Sequence, residues 1–171
     1  VSLPSDSKGV CMRPSVAHGD YCTFGKKDAA NLYFAVGDSH MQRFSMALIP
    51  KLPAHDARLV SLVVGTCPYG LKLQSVMANS KPKDCIPKVN DTRRQLFLSS
   101  RPSVVFVGAR LPWYLGDDPG LKPAFVLRPD PGEGIGQIAS EVVVKDIRDG
   151  ITELLEHGDK VVLIYPVPTA S

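Results

Sequence analysis

Leu32-Tyr33-Phe34-Ala35-Val36-Gly37-Asp38-Ser39-His40 is the stretch on which the fold turns. Five consecutive apolar residues make the uninterrupted run of a strand buried on both faces, and Gly37 stops it. The period then changes. Met41, Phe44, Ala47 and Leu48 recur at helical spacing until Pro50 and Pro53, so a helix is expected over residues 41–52. A buried strand passing through one tight polar turn into a helix is the opening of a βαβ unit.

The same alternation continues downstream. Apolar runs at 59–64, 104–107 and 161–165 read as the second, third and fourth strands, stopped by Gly65, by Gly108, and by Pro166 with Pro168. Helices are expected over 91–99, capped by Asn90 or Asp91, and over 136–157. The apolar stripe of the latter is Ile138, Val142, Ile147, Ile151, Leu154 and Leu155, and Gly158 is its C-cap. Residues 66–90 read as a long connection, and 117–120 and 130–132 as turns, with a short strand admissible at 124–127. Strands alternating with helices imply right-handed crossovers, hence an α/β fold, a three-layer α/β/α sandwich around a mainly parallel sheet. Ligands bind beyond the carboxyl ends of such strands, which selects the segments after Val36, Val64, Val107 and Tyr165. The 171 residues suit one domain: 1–25 as a linker and a loop tied by cysteines, and 26–171 as the α/β domain.

Composition narrows the partners. Lys and Arg (20) against Asp and Glu (17) give a net charge of +3, and the basic residues are scattered, so no nucleic-acid footprint is present. No apolar run approaches the roughly 20 residues that span a bilayer, and Val1 to Asp6 lacks the basic and apolar regions of a signal peptide. No phosphate loop follows a strand, since Gly132 to Gly136 fits neither GxGxxG nor GxxxxGK[ST]. No His, Asp or Glu cluster has metal-ligand spacing, so neither metal nor cofactor is expected. The four cysteines, Cys11, Cys22, Cys67 and Cys85, lack zinc or redox spacing. They allow three connectivities, of which local pairing of Cys11 with Cys22 and Cys67 with Cys85 is the economical one; the alternative is four reduced, buried thiols.

The first strand-to-helix turn sets the Ser39 hydroxyl at the carboxyl edge of the sheet and at a helix N-terminus, where free amides and the helix dipole favour developing negative charge. Ser39 is there either a nucleophile or an ordinary cap, with Asp38 a turn residue. Gly37-Asp38-Ser39-His40 after a buried strand resembles block I of the SGNH (GDSL-like) hydrolase superfamily, in the GDSH form of SGNH domains attached to acyltransferase-3 membrane proteins. Asp20-Tyr21-Cys22-Thr23-Phe24-Gly25, Thr66-Cys67-Pro68 with Cys85 ahead of Asn90, and Gly108-Ala109-Arg110 with Trp113-Tyr114 extend the resemblance from about Cys11 to Pro168. It implies a bacterial envelope enzyme in which Ser39 carries an acyl group. The donor side is a membrane acyltransferase domain of the same polypeptide, and the acceptor is a glycan hydroxyl, as in O-antigen, on the periplasmic or outer side. The same fold also serves carbohydrate esterases, and a degenerate, non-catalytic glycan-binding module is the third reading.

The resemblance assigns the oxyanion hole only in part. Gly65 matches the block II glycine, but Gly108-Ala109-Arg110-Leu111 lacks the block III asparagine, so Arg110 or a backbone amide takes that role, or the Ser39 and Gly65 amides act alone. Trp113 and Tyr114 are either a stacking platform for a sugar ring or anchors of their loop. A serine nucleophile needs a base. His55 and His157 fall at the amino-terminal edge of the strands, His40 diverges from Ser39 into a packing role, and His18 lies in the first cysteine loop. The superfamily takes its base from a DxxH motif after the last strand, and these 171 residues contain none. The expectation is a domain whose C-terminal part lies beyond the sequence given, with the sheet ending on an uncovered apolar strand.

Overall fold

The computed structural model describes residues 10–12, 21–65, 67–70, 74–77, 87–115, 125–128 and 140–165. The apolar runs become four parallel strands: β3 (Asn31–Gly37), β4 (Ala57–Val63), β6 (Val104–Gly108) and β8 (Lys160–Ile164). Two antiparallel strands, β1 (Val10–Met12) and β2 (Tyr21–Gly25), extend the sheet beyond β4, giving the order β1-β2-β4-β3-β6-β8. A separate antiparallel pair joins β5 (Gln74–Met77) to β7 (Phe125–Arg128).

Alternation along β3 builds the layers. Phe34 and Val36 point to one face, where Val60, Leu62, Val105 and Val107 meet Phe97 of α2 (Pro87–Leu98) and Leu154 of α4 (Ser140–Glu156). Tyr33 and Ala35 point to the other, against Met41 and Phe44 of α1 (Ser39–Leu48) and against Ile49 and Leu52 of the 3-10 segment Ile49–His55. Each large apolar side chain so buried contributes roughly 1.5–3 kcal/mol. Edge-to-face rings tie α2 to the sheet, Phe34 to Phe97 at 5.0 Å, and neighbouring strands to each other, Tyr33 to Phe106 at 5.8 Å. The α/β sandwich is thus the one the apolar runs predict.

Several boundaries differ from the sequence reading. Residues 10–12 and 21–25, read as loop, are strands, because β2 borrows the free edge of β4 and needs no apolar run of its own. The first helix begins at Ser39 rather than 41, and its final residues tighten into the 3-10 segment as Pro50 and Pro53 remove amide donors. The second helix begins at Pro87, so Asn90 is inside it rather than capping it. Strand β5 falls in the supposed connection, and its partner β7 is the short strand admitted at 124–127. In α4 the buried line is Val143, Asp146, Gly150 and Leu154, with Val142 and Leu155 exposed, so the apolar stripe read from the sequence is turned by part of a turn. Gly158 ends that helix at φ +92° as expected. Residues 117–120, 130–132 and 136–139 lie outside the described residues.

Among the described residues β8 bonds only to β6, and its Val162 and Leu163 are exposed. The connection of β3 runs by α1 to β4, whereas that of β6 runs by α4 to β8 on the other side. The switch point of the sheet therefore lies between β3 and β6. Gly37 and Gly108 face each other at that point. A β-carbon on Gly37 would run into the Gly108 carbonyl, and one on Gly108 into the Met41 sulfur, so the two glycines let α1 sit directly on the sheet. Gly37 also holds φ +147°. Gly37→Ala is expected to cost about 3 kcal/mol or more in a urea melt; a loss below about 1 kcal/mol would show that the turn relaxes around the methyl group.

Candidate active site

The register brings the selected segments to one level. Gly37 is opposite Val63 on one side and Gly108 on the other, so Ser39, Gly65 and Arg110 each stand two residues beyond the same line at the carboxyl edge. Asp38 is the N-cap of α1: its Oδ1 accepts from the His40 amide at 2.9 Å and its carbonyl from the Met41 amide at 3.0 Å. Ser39 is therefore the first helical residue, its amide without an intrahelical acceptor and its side chain exposed.

Asp38 itself is buried and fully engaged. Oδ2 accepts from the Arg110 amide at 2.9 Å and from the Tyr114 hydroxyl at 3.1 Å. The turn after β3 is thereby tied to Arg110 and to α3 (Leu111–Leu115) beyond β6. Tyr114 is pushed well above the ordinary tyrosine value by burial, and further by the charge and hydrogen bond of Asp38.

Beneath this turn lies Arg93 of α2, 2% exposed. Its Nε donates to the Leu62 carbonyl at 3.1 Å and its Nη2 to the Gly37 carbonyl at 3.0 Å. Nη1 donates to Asn90 Oδ1 at 2.8 Å and to the Pro68 carbonyl at 3.2 Å, and the Cys67 carbonyl lies 3.3 Å from both terminal nitrogens. Burial lowers the guanidinium to about 10, opposed by Tyr69, Tyr114 and Asp38, so it stays cationic at neutral pH.

A family model described as SGNH domain (fused to AT3 domains) matches residues 9–171. The chain belongs to this SGNH family. It is thus an acyltransferase-associated SGNH module, of the hydrolase-like kind that handles acyl groups. No individual curated protein and no solved structure matches the chain. No helix among the described residues is long and apolar enough to cross a membrane.

The sequence-predicted residues of the SGNH domain fall as follows. Ser39 and Gly65 are exposed at the same edge, with open space beside Gly65. The Arg110 amide is committed to Asp38, and its guanidinium carbon lies 5.3 Å from the centre of the Trp113 ring, a cation–π contact. Tyr114 is not on the surface: its ring is buried beside Val143 of α4 and its hydroxyl holds Asp38. Trp113 packs around the same cluster, partly buried. His40 does not pack either; it is exposed and lines an open cleft of about 480 Å³ with Arg43, Phe44 and Tyr165.

His55 and His157 sit at the opposite edge. The His55 carbonyl accepts from Asn31 at the start of β3, and His157 Nδ1 lies 2.9 Å from Asp159, next to the start of β8. Cys22 and Cys67 are both disulfide-bonded, and Cys11 faces Cys22 in register. Cys85 and His18 lie outside the described residues, as does Thr66. Among the described residues no group of three His, Cys, Asp or Glu is placed to hold a metal ion.

Sequence reasoning missed Arg93 altogether, took Asn90 for a helix cap and reduced Asp38 to a turn residue. A signal existed for Arg93: Val89, Arg93 and Phe97 recur at i, i+4 and i+8, and the flanking two are buried, so a charge stands in the apolar stripe of α2.

Two of the five tyrosines, Tyr69 and Tyr114, are raised chiefly by burial. Below pH 10 both are phenolic in the folded and unfolded chain; above it the unfolded chain ionises them and the folded one does not, so stability falls as pH rises. An ultraviolet tyrosinate titration should show those two ionising only with unfolding, and Tyr114→Phe should cost about 1–3 kcal/mol at neutral pH while flattening the alkaline loss.

Proposed function

We propose that this SGNH domain is a serine-dependent O-acyltransferase of the bacterial envelope. The carrying observation is the exposed Ser39 at the first position of α1, on the switch-point edge of the sheet, behind a fully engaged Asp38. Ser39 Oγ attacks the carbonyl of an acyl donor delivered by the membrane acyltransferase domain of the same polypeptide. The bond to the leaving group breaks, that group departs with a proton, and an acyl-enzyme forms. A hydroxyl of an envelope polysaccharide such as O-antigen then attacks the acyl carbon, the bond from that carbon to Ser39 Oγ breaks, and a base passes the acceptor's proton to Oγ, which restores the serine. The amides of Ser39 and Gly65 stabilise the oxyanion in both steps. His55 and His157 are too far along the strands to serve as the base. Arg110, whose guanidinium carbon lies 5.3 Å from the centre of the Trp113 ring, is the candidate contact for the acyl or glycan group, and Tyr114 keeps Asp38 in place.

The reaction faces the periplasm or cell exterior, and the α/β domain of residues 26–171 carries β1 and β2 of the tied N-terminal segment on its sheet. Cys11–Cys22 and Cys67–Cys85 are the disulfide pairs, supported by the register of Cys11 opposite Cys22 and by the bonded state of Cys22 and Cys67. With water as acceptor the same acyl-enzyme makes an esterase.

A fluorophosphonate applied to the full-length chain should label Ser39, and Ser39→Ala should lower acyl transfer to a polysaccharide acceptor by about 10³-fold or more. Labelling elsewhere with Ser39→Ala fully active would remove the nucleophile assignment. Acylated polysaccharide rather than free acid among the products separates transferase from esterase.

A further inference from the structure

We propose that Arg93 is a positioning residue for acyl transfer: it clamps the Ser39 turn and the loop carrying Gly65 to each other and offsets the charge of Asp38. This deepens the reading of Ser39 as nucleophile and rests on it.

Three observations carry it. The first is where the acceptors lie. The Gly37 carbonyl ends β3, two residues before Ser39; the Leu62 carbonyl is near the end of β4, and the Cys67 and Pro68 carbonyls flank Gly65 on its far side. One rigid fork thus spans both segments that would supply oxyanion amides. Gly37 carbonyl also accepts from the Val64 amide at 3.0 Å, so the two loops are joined directly as well as through the guanidinium. The second is that the fork is itself held: Asn90 Oδ1 takes Nη1 at 2.8 Å, and Asn90 is also buried.

The third is charge. A carboxylate at a helix N-terminus cancels much of the positive end of the dipole. Asp38 occupies that place, and an oxyanion formed at the Ser39 amide would meet its negative charge. Arg93 is the buried cation that interacts electrostatically with Asp38, and its contacts in the structure are carbonyl, amide and sulfur atoms rather than a carboxylate. Its charge is therefore available to offset Asp38. Lysine would keep the charge but replace a planar five-donor fork with a single ammonium, which cannot reach both loops at once.

The test uses the full-length chain, acylated by 4-nitrophenyl acetate in single turnover. Arg93→Lys should lower the maximal acylation rate about 10–100-fold while the half-saturating concentration changes less than about threefold, because geometry at the nucleophile is lost and substrate contact is not. Asn90→Ala, which keeps the charge and frees the fork, should lower it about 3–10-fold. If Arg93→Lys does not fold, Asn90→Ala decides alone. Amide hydrogen exchange reads the clamp independently of Ser39 chemistry: residues 37–40, 64, 65 and 67 should exchange about tenfold faster in either variant, with the centre of β3 unchanged. Wild-type acylation rates and wild-type exchange in the folded variants would overturn the proposal. Acylation unaffected by Ser39→Ala, together with faster loop exchange in Arg93→Lys, would instead retain the clamp and overturn only the nucleophile reading.

Discussion

A guanidinium sealed from water needs an acceptor for each of its five N–H groups, and here two strand ends, the loop after β4 and Asn90 supply them together. Arg93 meets that condition, and much else follows. The last turns of β3 and β4 must bring their carbonyls inward, the chain after β4 must fold back so that Cys67 and Pro68 can add theirs, and α2 must lie across the sheet with its second turn over the strand ends. Removing the side chain would take a donor from carbonyls of β3, β4 and the loop after β4 at once, a heavier loss than any single apolar contact in the layer around Phe97.

Asp38 is the counterpart above the sheet. It caps α1, holds the chain beyond β6 through the Arg110 amide, and orders α3 through Tyr114. With Asp38 turned inward by these bonds, the next two residues, Ser39 and His40, are exposed. Local capping chemistry and long-range strand registry are one device here.

The architecture was legible because β3, β4, β6 and β8 carry long apolar runs, the mark of strands in a parallel sheet covered by helices. The edge additions were not: Tyr21 to Gly25 alternates weakly and gains its partner from β4, a fact that sits 30 or so residues away along the chain. The phase of α4 was misread because Val142 and Leu155 are apolar yet exposed, while Asp146 and Gly150 are buried. Of the candidate site, Ser39, Gly65 and Arg110 could be placed from strand ends alone, since register is a property of the pattern. The distant partners of Asp38 and Arg93 could not, because those bonds join residues 25 to 76 positions apart.

The glycine pair at the switch point has a meaning beyond stability. Since neither Gly37 nor Gly108 tolerates a β-carbon beneath Met41, the seat of α1 is written into two widely separated positions, each closing an apolar run. A chain that shares the Asp-Ser turn but carries a larger residue at either place must hold its helix farther from the sheet. Its serine then stands higher above the strand ends, in a differently shaped cleft, and the two glycines become a means of sorting sequences by the depth of the cleft they can build.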